Sequence, residues 1–155
     1  MVDGITKQSG EYLVSYAAGS GLEMQYNHTK IPLAELWKEK VLGNPGFDFH
    51  TETPSKIIIF GESKYSSTST PHMDAVNQII HFIQEEKDIA ELSDLKNFIQ
   101  QESARNVTTG KKGFAAAFSV NAQDVKRAIV YPLKDTARLA TLLNQEEIYL
   151  IGVEI

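Results

Sequence analysis

Cysteine is absent from this chain of 155 residues. Its absence excludes disulfides, thiolate metal sites and a cysteine nucleophile. Long apolar runs are also lacking, and none approaches the length of a membrane span. The first residues, Met-Val-Asp-Gly-Ile-Thr-Lys, do not have the pattern of a signal peptide. We therefore expect a cytoplasmic protein that does not bind membranes.

An excess of positive charge is lacking as well, because the formal net charge is −5. This sum argues against a nucleic-acid partner, but the charges are unevenly distributed. Residues 104–145 contain seven Lys or Arg and two Asp or Glu, a local balance of +5, so the remaining residues carry −10. A basic segment of this kind is compatible with a phosphate-binding surface and equally with ion pairs inside the protein.

Apolar patterns along the chain predict helices and strands that alternate. Helices are expected at residues 7–18, 32–41, 71–87, within 85–102, at 121–131 and at 135–144; strands are expected at 22–26, 47–52, 56–65, 114–120 and 147–155. Residues 106–113 have the composition of a turn-rich loop. This order predicts an α/β fold with a mixed central β-sheet flanked by helices. We expect a single domain over residues 1–155, either complete or cut from a longer protein.

Two of the predicted strands are joined by a short turn, and charged residues stand at their far ends. The run Ile57-Ile58-Ile59-Phe60 is apolar on both faces, which is typical of a central strand. Glu62 and Lys64 follow it and point to one face, because they are two residues apart. Asp48 lies on the neighbouring strand if Thr53-Pro54-Ser55 forms the turn. The pattern therefore predicts two carboxylates and an ammonium group at the edge of an apolar sheet.

Such a cluster favours a metal site, because carboxylates on adjacent strands repel each other unless a cation lies between them. Oxygen ligands suit Mg²⁺ or Mn²⁺, and magnesium needs only one or two carboxylates. Asp48 and Glu62 would supply these, and the carbonyl of Ser63 is a candidate third ligand. Lys64 could orient or deprotonate an attacking water and stabilise charge on a phosphate. A structural ion-pair cluster is the alternative, since Glu-x-Lys alone is common on solvated strands.

Asp48 followed by Glu62-Ser63-Lys64 on the next strand resembles the PD-(D/E)XK signature of the restriction-endonuclease-like superfamily. The resemblance covers residues 43–88. It implies a core of helix, two hairpin strands, helix and strand, and metal-dependent hydrolysis of DNA phosphodiester bonds that leaves 5′-phosphate ends. Gly-Asn-Pro-Gly-Phe-Asp-Phe-His and Gly-Glu-Ser-Lys-Tyr look most like bacterial anti-phage defence nucleases, in particular the Hachiman nuclease subunits. That likeness implies a helicase or another defence-system subunit as a partner.

The resemblance also implies roles for residues outside the hairpin. Glu11 lies in the first predicted helix, where nucleases of this superfamily often place a glutamate near the metal. The alternative for Glu11 is a solvated acid that interacts with the helix dipole. Gln78 matches the glutamine of the Gln-x-x-x-Tyr motif of RecB-like relatives, where it approaches the catalytic lysine or the substrate. The tyrosine of that motif is replaced here by Phe82.

Three further residues are candidates for contacts with DNA. His50 is two residues beyond Asp48, so it is expected on the same face and near a phosphate, unless it is a simple exposed strand histidine. Lys111 and Lys112 belong to Gly-Lys-Lys-Gly, which lacks the spacing of a nucleotide-triphosphate loop but could contact the DNA backbone.

Two other classes of function stay open at this point. One is a nucleic-acid-binding or assembly module that has this fold but no activity. The other is an interaction domain built around the acidic helices of residues 85–102. A homodimer that makes paired cuts is also compatible with the sequence.

Overall fold

The computed structural model describes residues 6–34, 46–121, 126, 130, 134 and 136–155. Within these residues the chain has an α/β fold, with a five-stranded mixed open sheet and five helices. In chain order the elements are α1 (Lys7–Tyr26), β1 (Thr29–Ile31), β2 (Phe49–Glu52), β3 (Ile58–Lys64), α2 (His72–Gln84), α3 (Lys87–Leu95), α4 (Gln101–Thr108), β4 (Lys112–Val120), α5 (Thr136–Leu143) and β5 (Glu147–Glu154).

The strands lie in the sheet in the same order as in the chain. β1, β2 and β3 are antiparallel neighbours, whereas β3, β4 and β5 run parallel. The parallel pairing of β3 and β4 requires a crossover, which α2, α3 and α4 provide. β4 is buried along almost its whole length, as expected of a parallel strand with both faces covered.

Alternating side chains along β3 divide the apolar core into two clusters. On one face, Val14 and Ala18 of α1 pack against Ile59 and its neighbours. On the other face, Phe60 packs against helices α2 to α5 and lies 5.2 Å from Phe47 between ring centroids. Because residues of like parity share a face, Glu62 and Lys64 continue the face of Phe60, under α2.

The strand predictions at 47–52, 56–65, 114–120 and 147–155 and the helix predictions at 71–87 and 135–144 are confirmed to within a few residues. The predicted strand at 22–26 is wrong, because α1 continues through Gly19 and Gly21 to Tyr26. Leu22 is buried on the same side of this helix as the core residues before it. The helix ends at Asn27, whose left-handed backbone (φ 58°) places its N–H on the carbonyl of Leu22.

The predicted loop at 106–113 is also shorter than expected, because α4 extends to Thr108 and β4 begins at Lys112. The predicted helices at 32–41 and 121–131 lie largely outside the described residues. Among the described residues, no helix has both the length and the apolarity that crossing a bilayer requires.

Candidate active site

The register of β2 and β3 brings two carboxylates together at the end of the hairpin. Phe49 pairs with Gly61, so one further step places Asp48 opposite Glu62. The Asp48 N–H donates to the Gly61 carbonyl at 2.8 Å, and Asp48 Oδ2 accepts a hydrogen bond from the Ser63 N–H at 2.9 Å. Residues directly opposite each other on antiparallel strands are close neighbours. The backbone of β3 therefore holds the carboxylate of Asp48 beside Glu62.

Glu62 lies at the centre of this group. The residue is only 4% exposed, and Lys64 Nζ donates to its Oε1 at 3.0 Å. The second oxygen, Oε2, is buried and has no hydrogen-bond partner among the described residues. Burial and the charge of Asp48 raise the pKa of Glu62 to about 8, although Lys64 opposes this shift. A buried carboxylate oxygen next to a second carboxylate is a position that a divalent cation would neutralise.

The surroundings that shift the pKa of Glu62 also act on Lys64, which carries the opposite charge. Burial by itself would lower the pKa of Lys64, but the charge of Glu62 and the hydrogen bond to it raise the pKa above its ordinary value. The charges of Glu11 and Asp48 act in the same direction. Lys64 is therefore an ammonium group at neutral pH.

The carboxylates face an open cleft of about 390 Å³. Glu11 reaches it from α1 and Gln78 from α2, so the structure brings both residues to the place expected from the sequence. Gln78 also lines a second depression together with Lys64. Phe82, which takes the place of the tyrosine in the motif that Gln78 resembles, forms part of the cleft wall and packs against Phe47 with ring centroids 5.1 Å apart.

The oxygen atoms in the cleft suit a hard divalent cation that takes few ligands from the protein. The described residues contain no group of three or more His, Cys, Asp or Glu side chains that could hold a metal ion. Magnesium, however, takes one or two carboxylates and completes its shell with water and substrate phosphate. The Ser63 side chain points away from the cleft, since its Oγ accepts a hydrogen bond from Ser15 Oγ at 2.8 Å. Only the backbone carbonyl of Ser63 therefore suits the ligand role predicted for it.

His50 shares the sheet face of Asp48, but the prediction that it contacts a phosphate is wrong. Its side chain is fully buried, and Nε2 lies 2.6 Å from Glu91 Oε2. Glu91 Oε1 also accepts a hydrogen bond from the Phe47 N–H at 2.7 Å. Because Glu91 of α3 holds the ring in the core, His50 anchors β2 two residues beyond Asp48 instead of contacting substrate.

The residue type of Glu91 did not indicate its importance, because acidic residues are frequent throughout the predicted helices of residues 85–102. A signal for its burial was nevertheless present. Glu91 precedes Leu92 and lies four residues before Leu95, and these three side chains are all buried. Its position on the apolar side of the helix thus indicated that this carboxylate needed a buried partner.

Lys111 and Lys112 lie at the opposite end of the sheet from the cleft. Lys112 pairs in register with Ile58, whereas Lys64 pairs with Phe118. Lys112 and Lys64 are therefore separated by six residues along the strands, or about 20 Å. Lys112 forms a largely buried ion pair with Asp88. Parallel pairing places the start of β4 beside the start of β3, away from the cleft, and the contact of Lys111 and Lys112 with the DNA backbone stays a prediction.

Glu85 and Lys87 line the cleft although the sequence analysis gave them no role. They flank the turn between α2 and α3, where Glu86 has a left-handed backbone with φ 54°. The direction of this turn brings both side chains back towards β3. The spacing of residues in the sequence contained no indication that this turn would bring Glu85 and Lys87 to the cleft.

Comparisons with other proteins add no relative to this description. No protein-family model matches the chain, and no curated protein or solved structure is significantly similar to it. The chemical interpretation of the cleft therefore depends on its own residues, above all Asp48, Glu62 and Lys64.

Proposed function

We propose that this protein is a metal-dependent nuclease of the restriction-endonuclease-like superfamily that hydrolyses DNA phosphodiester bonds. The observation that carries the proposal is Glu62, a buried carboxylate that faces Asp48, binds Lys64 through one oxygen and leaves the other without a partner among the described residues. The order of α1, the β2–β3 hairpin, α2 and parallel β4 also supports the core of that superfamily.

The charge balance of the cleft favours a bound cation over a closed ion-pair network. Four carboxylates line the cleft, from Glu11, Asp48, Glu62 and Glu85, whereas Lys64 and Lys87 supply the ammonium groups. In a structural ion cluster, opposite charges should balance, because an uncompensated buried charge is costly. Without an ion, the raised pKa of Glu62 keeps that carboxyl protonated, and Mg²⁺ or Mn²⁺ would take the place of this proton.

Asp48 and Glu62 would hold one or two such ions, with the Ser63 carbonyl as a further ligand and Glu11 contributing directly or through water. The ion, when bound, would activate a water molecule and offset negative charge on the phosphate. The protein's share of this task is rigid support: the Ser63 N–H orients Asp48, and Lys64 orients Glu62.

Lys64 acts in this proposal as a hydrogen-bond donor and a positive charge. Its raised pKa keeps it protonated at neutral pH, so it suits stabilisation of a developing phosphate charge better than proton abstraction. Gln78 lines the same wall and can donate an amide N–H to a phosphate oxygen or to the attacking water.

The test is cleavage of supercoiled and single-stranded DNA in Mg²⁺, Mn²⁺ or EDTA. Glu62→Ala and Lys64→Ala should each lower the metal-dependent rate by about a hundredfold or more. Glu102→Ala and Lys96→Ala are matched controls, because these exposed residues do not line the cleft, and they should leave the rate unchanged. Thermal melting should show that all four variants fold.

Cleavage that survives both cleft substitutions would disprove this site. Binding of DNA by the wild type without cleavage in any metal would favour an inactive module of the same fold.

The likeness to defence nucleases supports a helicase or another defence-system subunit as the partner. Adding that partner to a silent wild type separates a restrained nuclease from an inactive module.

A further inference from the structure

A small groove lies between α1 and the antiparallel strands, and it borders the active-site cleft at Asp48. Tyr12 and Tyr16 of α1 form one wall, and Lys30 of β1 lies in the other. Asp48 belongs both to this groove and to the cleft. A polymer lying in the groove would therefore reach the carboxylates directly.

The side chains of the groove combine exposed aromatic rings with a cation. Tyr12 and Tyr16 are 47% and 60% exposed, and their spacing of four residues places them one helical turn apart on the same face. Lys30 Nζ lies 4.6 Å from the centroid of the Tyr16 ring and donates to Ser20 Oγ at 2.7 Å. The lysine thus lies over one face of the Tyr16 ring, and a base would stack on the opposite face.

A second depression continues the path on the other side of the cleft. It shares Lys64 and Gln78 with the surface around the active site, and Lys7 and Asn77 add further ammonium and amide donors beside one carboxylate, that of Asp74. Such donors suit phosphate oxygens. The active site therefore lies between an aromatic groove and a depression that offers hydrogen-bond donors.

We propose that the substrate is a single DNA strand that crosses the cleft, with unpaired bases stacked on Tyr12 and Tyr16. This inference rests on the proposed nuclease function and adds the substrate class. Stacking on aromatic side chains beside a positively charged groove is the usual way in which proteins bind single strands. A duplex cannot use the tyrosines in this way, because its base faces are already stacked on each other.

Binding is measured by fluorescence anisotropy of a labelled oligothymidylate in Ca²⁺, with the duplex of the same length as the comparison. The double variant Tyr12→Ala/Tyr16→Ala should lose single-strand affinity by roughly tenfold or more, because each stacked base contributes substantially. The Tyr12→Phe/Tyr16→Phe variant should retain it. Tyr26→Ala is the matched control, since Tyr26 is 55% exposed on the same helix but outside the groove.

Wild type should prefer the single strand, and duplex binding should respond little to the tyrosine substitutions. Tighter binding of the duplex by wild type would overturn the inference, as would unchanged single-strand affinity in the double alanine variant or an equal loss in Tyr26→Ala. If the double alanine variant cuts single strands with an unchanged KM while Glu62→Ala is inactive, the nuclease stands and the strand path is wrong. If wild type cuts no DNA even after the partner subunit is added, the nuclease fails, and the anisotropy comparison still decides the groove.

Discussion

Burial and the charge of Asp48 both raise the pKa of Glu62. The side chain is almost inaccessible and lies opposite Asp48, so its pKa rises from the ordinary value of 4.5 to about 8. Between these two values the folded protein keeps a proton that the unfolded chain has released. The free energy of unfolding therefore depends on pH through this one group.

In EDTA, the contribution of Glu62 to stability should be fully present below pH 4.5 and should be lost as the pH rises towards about 8. The slope cannot exceed about 1.4 kcal/mol per pH unit for one proton. Urea denaturation at pH 5, 6.5 and 8 measures it, and Glu62→Gln should remove this part of the slope. Mg²⁺ should stabilise the wild type at pH 8 more than the variant. Identical slopes for the two proteins would show that Glu62 does not hold this proton.

At the hairpin, the local sequence pattern predicts part of the candidate site. The positions of Asp48, Glu62 and Lys64 at one sheet end followed from strand alternation and a short turn, because these two features fix the register. The burial of Glu62 did not follow from them. It depends on α2 and α1, whose packing over the end of β3 no local pattern specifies.

Among the elements, α3 connects the core with the segment that carries Asp48. Glu91 on this helix accepts the Phe47 N–H and pairs with His50, both across more than forty residues of sequence. These contacts fix the chain on both sides of Asp48, at Phe47 and at His50. A helix that lines little of the cleft thus determines the position of a proposed metal ligand.

Glu91→Ala should lower the free energy of unfolding by roughly 3–5 kcal/mol, because His50 and the Phe47 N–H would lose their buried partner. Glu91→Gln should cost less, since its amide oxygen can still accept the Phe47 N–H. Denaturant titration measures both. Asp94→Ala is the control on the same helix, because Asp94 is exposed, and it should change stability by no more than about 0.5 kcal/mol. An equally small effect of Glu91→Ala would contradict the anchoring role.

Two errors at the scale of elements have physical reasons. Gly19 and Gly21 suggested the end of a helix, but α1 continues because its buried side is held against the sheet by packing that outweighs the low helix propensity of glycine. The turn-rich composition of residues 106–113 concealed the last turn of α4, which is anchored by buried Val107.

For the whole molecule, the distribution of charge has a different meaning from the one that the sequence suggested. Lys112, from the basic segment, is committed to Asp88 at the far end of the sheet. Asp88 and Glu91, from the acidic helices, are buried. Part of the apparent charge asymmetry therefore consists of internal ion pairs, and the cations near the cleft come from other parts of the chain, such as Lys7, Lys30 and Lys64.

This arrangement predicts which lysines would contribute to the salt dependence of the proposed single-strand binding. Lys30→Ala should make the slope of log affinity against log salt concentration shallower by about 0.7, the value for one phosphate contact on a single strand. Lys111→Ala should leave the slope unchanged, because Lys111 is exposed at the opposite end of the sheet. Anisotropy titrations between low and moderate salt measure both slopes. A shallower slope for Lys111→Ala alone would instead place the DNA at the basic end of the sheet.

The sequence by itself determined the α/β class, the central strand β3 and the hairpin that aligns Asp48 with Glu62, because these depend on periodicity and on contacts between near neighbours in the chain. Only the tertiary structure decided that His50 is covered by Glu91, that Lys112 is paired with Asp88 and that Tyr16 lies beside Lys30 in a groove leading to the cleft. Each of these contacts depends on how a helix packs on the sheet. Packing is set by the combined apolar surfaces of distant segments, so no short stretch of sequence contains it.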